Sequence, residues 1–135
     1  PFQWLAVSPV ATIEAKLKHI QASLKKDKNI EVLAETPKES NIQGILARGD
    51  RRLGSALLTA YRLGGYKHFK RAMREYNLQE EFYLYRTRDE AEIFPWSHLD
   101  MGFHAEYLWQ ELQRADSGQT TPPCNNHCTR CGVCN

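Results

Sequence analysis

The residues with the most chemistry to offer sit together at the end of the chain. Cys124, Cys128, Cys131 and Cys134 are its four cysteines, spaced C-x3-C-x2-C-x2-C. Thiols this close in sequence share a metal, cross-link as strained local disulfides, or stay reduced in a disordered tail. A disulfide needs a Cα separation and Cβ direction that neighbouring C-x2-C pairs seldom offer, so a shared metal is the stronger reading. Gly132 fits it, because a chain wrapping an ion often needs a positive φ between ligands. The overlapping C-x2-C steps are similar to the run that wraps an iron–sulfur cluster, [4Fe–4S] being the form such a run suggests. Four ligands within eleven residues also suit a single zinc ion. His127, inside the first gap, is a substitute ligand or simply an exposed histidine.

Two further constellations stand out. Arg48, Asp50, Arg51 and Arg52 could hold an anionic group, since guanidinium forks grip carboxylate or phosphate through paired hydrogen bonds. The plainer reading is that Asp50 pairs with one arginine and locks a corner between helices. His98 and Asp100 could form an orienting pair or a proton-transfer dyad. A solvent-facing loop anchored by Trp96 is the plainer alternative. The sequence has neither a glycine-rich phosphate loop nor a nucleophile elbow.

The elements that must position these residues read as mainly helical. Residues 2–7 suggest a short extended piece packed on something upstream. Ser8-Pro9 then reads as an N-cap and first helical position, with Val10, Ile13, Leu17, Ile20 and Leu24 forming a buried stripe. His19 beside it is structural filler. Residues 30–35 alternate like a strand that Pro37 stops. Ser40 and Gln43 form a capping-box pattern before Ile42, Ile45, Leu46, Leu53, Leu57 and Tyr61, with a break or a close contact at Gly49. Gly64-Gly65 ends that run. A short basic helix follows over about 66–76, and 78–85 fits either helix or strand. Residues 87–102 are irregular, helix resumes over 103–115 with Tyr107, Leu108, Leu112 and Ala115 inward, and 117–123 is a linker. The expected fold is therefore α+β: a small helical domain over 1–116 with one or two short strands, then a linker and cysteine-rich tail over 117–135.

The chain has 135 residues, 41% hydrophobic and 25% charged, which suits one globular domain of modest core. It has no apolar run long enough to span a bilayer, so no membrane association is expected. Pro1-Phe2-Gln3-Trp4 offers neither a basic leader nor an initiator methionine, which suggests a fragment of a longer protein. Clustered cysteines without partners elsewhere suggest a reducing, cytoplasmic setting. The net charge of +2 conceals an asymmetry: 14 Lys/Arg against 6 Asp/Glu up to Arg74, and 4 against 10 from Glu75 onward. The stretch 48–74 could face RNA or another anionic partner, or it could pair with the acidic half and sit in solvent, which is the more usual role of a charge block.

Several pieces in order resemble one family. Pro1-Phe2-Gln3-Trp4 resembles the PFQW that follows the catalytic barrel in cobalamin-binding radical S-adenosylmethionine proteins. Ala47 to Leu53 resembles its ARGDRRL, Phe82-Tyr83 its FY, and Pro95 to Gly102 its PWxHIDxG. Thr120-Thr121-Pro122 and the final Cys-x2-Cys-Gly-x-Cys resemble its TTPxC and CxxCGxC ending. Tyr66 stands where the family usually has tryptophan. Ser97 stands where it usually has aspartate, which removes a carboxylate from any metal role of that loop.

The resemblance covers essentially the whole chain. It implies a C-terminal accessory region that packs on the barrel of its parent chain, with S-adenosylmethionine and cobalamin bound only by the parent. The C-x3-C-x2-C spacing at the end is expected to match that enzyme's reactive-cluster motif only by accident, because a barrel of about 200 residues or more would have to follow it. Two functions are expected from this reading. One is an accessory part of a radical enzyme with an additional metal or iron–sulfur site, inactive by itself. The other is a metal-stapled module presenting its basic face to RNA.

Overall fold

A computed structural model describes residues 1–125 and 127–133. The chain divides into two compact units, Ala6–Arg86 and a second made of Pro1–Leu5 with Thr87–Asn135.

In the first unit, α1 (Val10–Leu24) begins at Pro9, whose carbonyl accepts from the Thr12 and Ile13 amides. Pro9 is therefore the cap, and Ser8 makes no capping bond. The predicted stripe lies against α2 (Pro37–Arg48) but is only half-buried, and Ile20 remains 46% exposed. The start of α2 also differs from expectation. Thr36, four residues before Ser40, accepts the Glu39 amide at 3.3 Å, and its hydroxyl donates to Glu39 Oε2 at 2.7 Å. Pro37 opens the helix instead of stopping a strand, because its fixed φ suits the first helical position and no N–H is needed there.

The strand expected over 30–35 does not form, and no strand occurs among the described residues. A lone segment cannot complete a ladder without a partner, so its alternation leaves Leu33 82% exposed. The extended piece expected over 2–7 is likewise a 3-10 turn at Phe2–Trp4 followed by extended chain. Among the described residues the chain is mainly α, without the minor β component.

The apolar run after α2 does break at Gly49, and α3 spans Leu53–Arg62. A Cβ on Gly49 would stand 2.1 Å from Leu53 Cδ1 and 2.7 Å from the Ile45 carbonyl, so only glycine fits. Gly64 and Gly65 end α3 at φ +107° and +110°, values that glycine adopts without steric cost. A 3-10 turn (Tyr66–His68) leads into α4 (Phe69–Glu75), and a π-helical turn covers Glu81–Tyr85, the segment the sequence left undecided. The core consists of Ile45, Leu53, Phe69, Met73, Tyr83 and Leu84 with three alanines, 56, 60 and 72. Leu46, Leu57 and Tyr61, expected in the stripe, face solvent. The alanines replace them because they let α3 and α4 approach closely.

In the second unit, Trp4 packs edge-on to Phe94 and Trp109, with ring centroids 5.9 and 5.0 Å away. Leu112 on α5 (Tyr107–Asp116) completes this cluster. The Arg88 amide donates to the Trp4 carbonyl at 2.8 Å, and Trp96 Nε1 donates to Gln3 at 3.0 Å. Trp4 and Gln3 thus pack on chain that follows them, while Phe2 and Leu5 stay exposed.

Replacing Gly49 with alanine is expected to cost roughly 1–3 kcal/mol by overpacking. Leu17→Ala, on a half-buried stripe, should cost only about 1 kcal/mol, below the 2–5 of a fully buried leucine. Urea midpoints of the two variants check this, and a larger loss for Leu17→Ala would put α1 in the core after all.

A candidate cysteine metal centre

The tail is held before any metal is considered. The Arg130 guanidinium donates to the Pro122 and Pro123 carbonyls at 2.8 and 3.2 Å, closing the segment that contains Cys124 and Cys128. Within it the Cys128 amide bonds back to the Asn125 carbonyl at 3.0 Å, and Asn125 Oδ1 accepts the His127 amide at 3.0 Å. Upstream, the Thr121 hydroxyl bonds Glu111 on α5, and Arg114 reaches the same carboxylate at 2.5 Å. These contacts, Thr121 first, hold the Glu111 carboxyl below its usual range.

This folding brings two of the predicted ligands together. The Cys128 thiol is buried and is drawn below the usual thiol range, chiefly because the Arg130 backbone N–H points at its sulfur. A hydrogen bond with the Cys124 side chain acts in the same direction, against the opposing effect of burial. Cys124 is exposed and Cys131 half-buried, while Cys134 lies outside the described residues. Gly132 has the positive φ expected of it, +83°. His127 is exposed.

Among the described residues no three His, Cys, Asp or Glu side chains already surround a point where an ion would fit. The donors nonetheless suit the group. Thiolates select zinc or iron–sulfur clusters, and an N–H aimed at sulfur favours the deprotonated form that a ligand must adopt. When bound, such a metal would supply structural cross-linking or electron transfer. The chain itself supplies Cys124 and Cys128 side by side.

Within the arginine constellation, Asp50 and Arg52 pair with each other. Asp50 takes the Arg52 guanidinium in a fork, with Nε at 2.9 and 3.1 Å and Nη2 at 2.6 Å, and also accepts the Arg52 amide. That guanidinium lies 5.0 Å from the centre of the Phe82 ring, and the Arg86 guanidinium lies 4.5 Å from the same ring. The Arg52 fork holds the Asp50 carboxyl below its usual range, and burial followed by the Asp50 charge pushes the Tyr83 phenol up. Arg48 is half-buried at the end of α2, and Arg51 is exposed. The geometry is that of a locked helix–helix corner.

His98 and Asp100 are both exposed, beside a cavity of about 440 Å³ that Trp96, Leu99, Met101 and Leu108 also line. They do not meet as a dyad: Asp100 instead accepts the Gly102 amide at 2.8 Å. Two residues that the sequence did not single out matter more. Arg130 builds the clasp, and the His104 amide donates to the Cys131 carbonyl at 2.8 Å. Only the basic side chain inside the cysteine run hinted at the first, and nothing local hinted at the second.

Compared with protein-family models, curated proteins and solved structures, the chain matches none of them.

Because the folded pKa of Asp50 is depressed, the stability it contributes is present above the unfolded value of about 3.9 and lost as pH falls through the lower folded value. Arg52 is 54% exposed, so solvent screening keeps the pair below about 1 kcal/mol. Asp50→Asn should therefore cost little at neutral pH and flatten part of the acid limb of a stability–pH curve. Acid limbs of equal slope in the two proteins would show that the fork is not coupled to folding.

Proposed function

We propose that this chain is the C-terminal accessory region of a radical S-adenosylmethionine enzyme of the cobalamin-binding family, carrying an additional cysteine metal centre. In this reading it packs on the catalytic barrel of its parent chain in the cytoplasm, and the parent alone binds S-adenosylmethionine and cobalamin. Cys124, Cys128, Cys131 and Cys134 hold zinc or an iron–sulfur cluster. The metal part of the proposal is supported by the gathered pair Cys124 and Cys128, and the family part by the ordered sequence motifs alone. No helix among the described residues is long and apolar enough to cross a membrane.

A second reading has one observation in its favour. Arg51, Arg62, Lys67 and Arg74 are exposed along the basic stretch, a surface that could receive RNA. Against it, Arg52, Lys70 and Arg71 are already paired with Asp50, Glu80 and Glu75. The accessory reading is therefore preferred. Salt-sensitive binding of RNA oligonucleotides by the chain would reverse that preference.

The test is metal content after anaerobic purification, with iron, sulfide and zinc each measured. Stoichiometric metal is expected, and Cys128→Ser and Cys131→Ser should abolish it. Cys124→Ser should be nearly as damaging, since its thiol lies against Cys128. The chain alone should not cleave S-adenosylmethionine, and cleavage would overturn the accessory assignment.

Chelation should release the metal and loosen the tail while leaving most helical circular dichroism, because the core of the Ala6–Arg86 unit uses no tail residue. Global unfolding on chelation would mean that metal binding supplies folding energy for the whole chain, as in small zinc domains.

A further inference from the structure

Helix α3 carries apolar residues on two faces, and the fold uses only one of them. Leu53, Ala56 and Ala60 are in the core. Gly54, Leu57, Leu58 and Tyr61 follow the i, i+3, i+4, i+7 pattern, which gathers them on a different face of the same helix. All four are exposed, Leu58 by 50% and Tyr61 by 79%. Single exposed leucines are ordinary, but three large apolar side chains along one seam of a short helix mark a contact surface.

Gly54 is an independent observation on the same seam. Glycine lowers helix stability relative to alanine, so its presence within a helix calls for a reason. The fold supplies none here. Its φ is not in the left-handed region, and a Cβ built on it would meet nothing within 4 Å. Gly49 differs, because there the chain itself fills the space. At Gly54 the space lies outside the fold, where a missing side chain permits close approach by a second backbone.

The seam also has a basic edge. Arg51 and Arg62, both exposed, stand seven residues before and four after Leu58, so helical spacing puts them on its side. They are about 16 Å apart along the axis. Between Arg48 and Arg74 the one acidic residue is Asp50, which Arg52 already occupies. A second copy of this surface would set its arginines against these. A nucleic acid would find leucines where it needs donors to phosphate.

We propose that this face of α3 is a docking seam for an amphipathic helix of a partner protein, apolar along one side and flanked by Glu or Asp. The partner's apolar side chains cover Leu57, Leu58 and Tyr61, its backbone approaches at Gly54, and its carboxylates meet Arg51 and Arg62. Nothing in this depends on a metal in the cysteine tail.

The test uses the full chain and a fluorescently labelled synthetic peptide of about 18 residues, long enough to form a helix, with leucines at helical spacing and glutamates on both flanks. A matched peptide carries lysines in place of the glutamates. Anisotropy should show saturable binding of the glutamate peptide, about tenfold or more tighter than the lysine peptide, with the difference shrinking as salt rises. Leu58→Glu should abolish binding, and Arg51→Glu combined with Arg62→Glu should weaken it about tenfold. These side chains are exposed, so the variants should keep wild-type circular dichroism. Gly54→Leu separates docking from folding. It should raise the urea midpoint, because leucine is the better helix former and a Cβ there meets no atom, yet weaken peptide binding about tenfold.

Equal affinity for the two peptides, no saturable binding of either, or wild-type binding in Leu58→Glu or Gly54→Leu would overturn the proposal. Self-association of the chain that Leu58→Glu reverses would assign the face to a second copy instead. RNA oligonucleotide binding that Leu58→Glu removes would assign it to nucleic acid, and either result would displace the helical partner.

Discussion

Between the last turn of α2 and the first turn of α3 there is no room for a side chain. Leu53 turns back into the volume that a Cβ on residue 49 would occupy, and the Ile45 carbonyl closes it from the other side. Once the chain must pass this point without a side chain, the rest of the Ala6–Arg86 unit follows. Ile45 and Leu53 meet in the core, and Asp50, placed in the turn, can accept both the amide and the guanidinium of Arg52. The guanidinium is then carried over Phe82, beside the π-helical turn that buries Tyr83 and Leu84. A segment that reads as an anion site in sequence becomes the cross-brace of a corner.

The other unit is organised by aromatic surface rather than by helix contact. Trp4 presents its ring to Phe94 and Trp109, and Phe94 stacks on Trp96 at 5.1 Å. Offset and edge-on pairs of this kind add to simple area burial. Arg88, buried beside Phe94 and 3.4 Å from Glu92, places a charge in the same layer. This aromatic layer gives α5 a fixed position. The tail is in turn fastened to α5 through Glu111, and to the chain just before it through His104. The order of dependence runs from rings to helix to tail.

How much of this was legible follows from the range of each cause. Gly49, Gly64 and Gly65 act on their own backbone, and the sequence marked all three. The cysteine spacing is equally local, and two of its thiols do come together. The apolar stripes failed where small residues carry the packing. Ala56, Ala60 and Ala72 are buried, yet a pattern built on large side chains passes over them and places Leu57 and Tyr61 inside. The start of α2 was misread because Ser40 and Thr36 both offer plausible caps, and only Pro37 after Thr36 decides between them. Contacts such as His104 with Cys131 join distant parts of the chain, and no local pattern announces them.

The extended segment before α2 has a consequence for how the molecule behaves in company. Ile30, Val32 and Ala34 alternate with Glu31, Leu33 and Glu35 on backbone that belongs to no ladder. Such a stretch is a template for intermolecular β-pairing, and Leu33 would add apolar contact to it. The flanks oppose this. Lys28 lies just upstream, Glu31 and Glu35 put like charges at fixed intervals, and Pro37 removes a donor at the downstream end. Stacked copies would bring those carboxylates into register against one another, and the proline would cap the growing edge. These are the features of gatekeeping residues, which oppose edge-to-edge growth from such a segment.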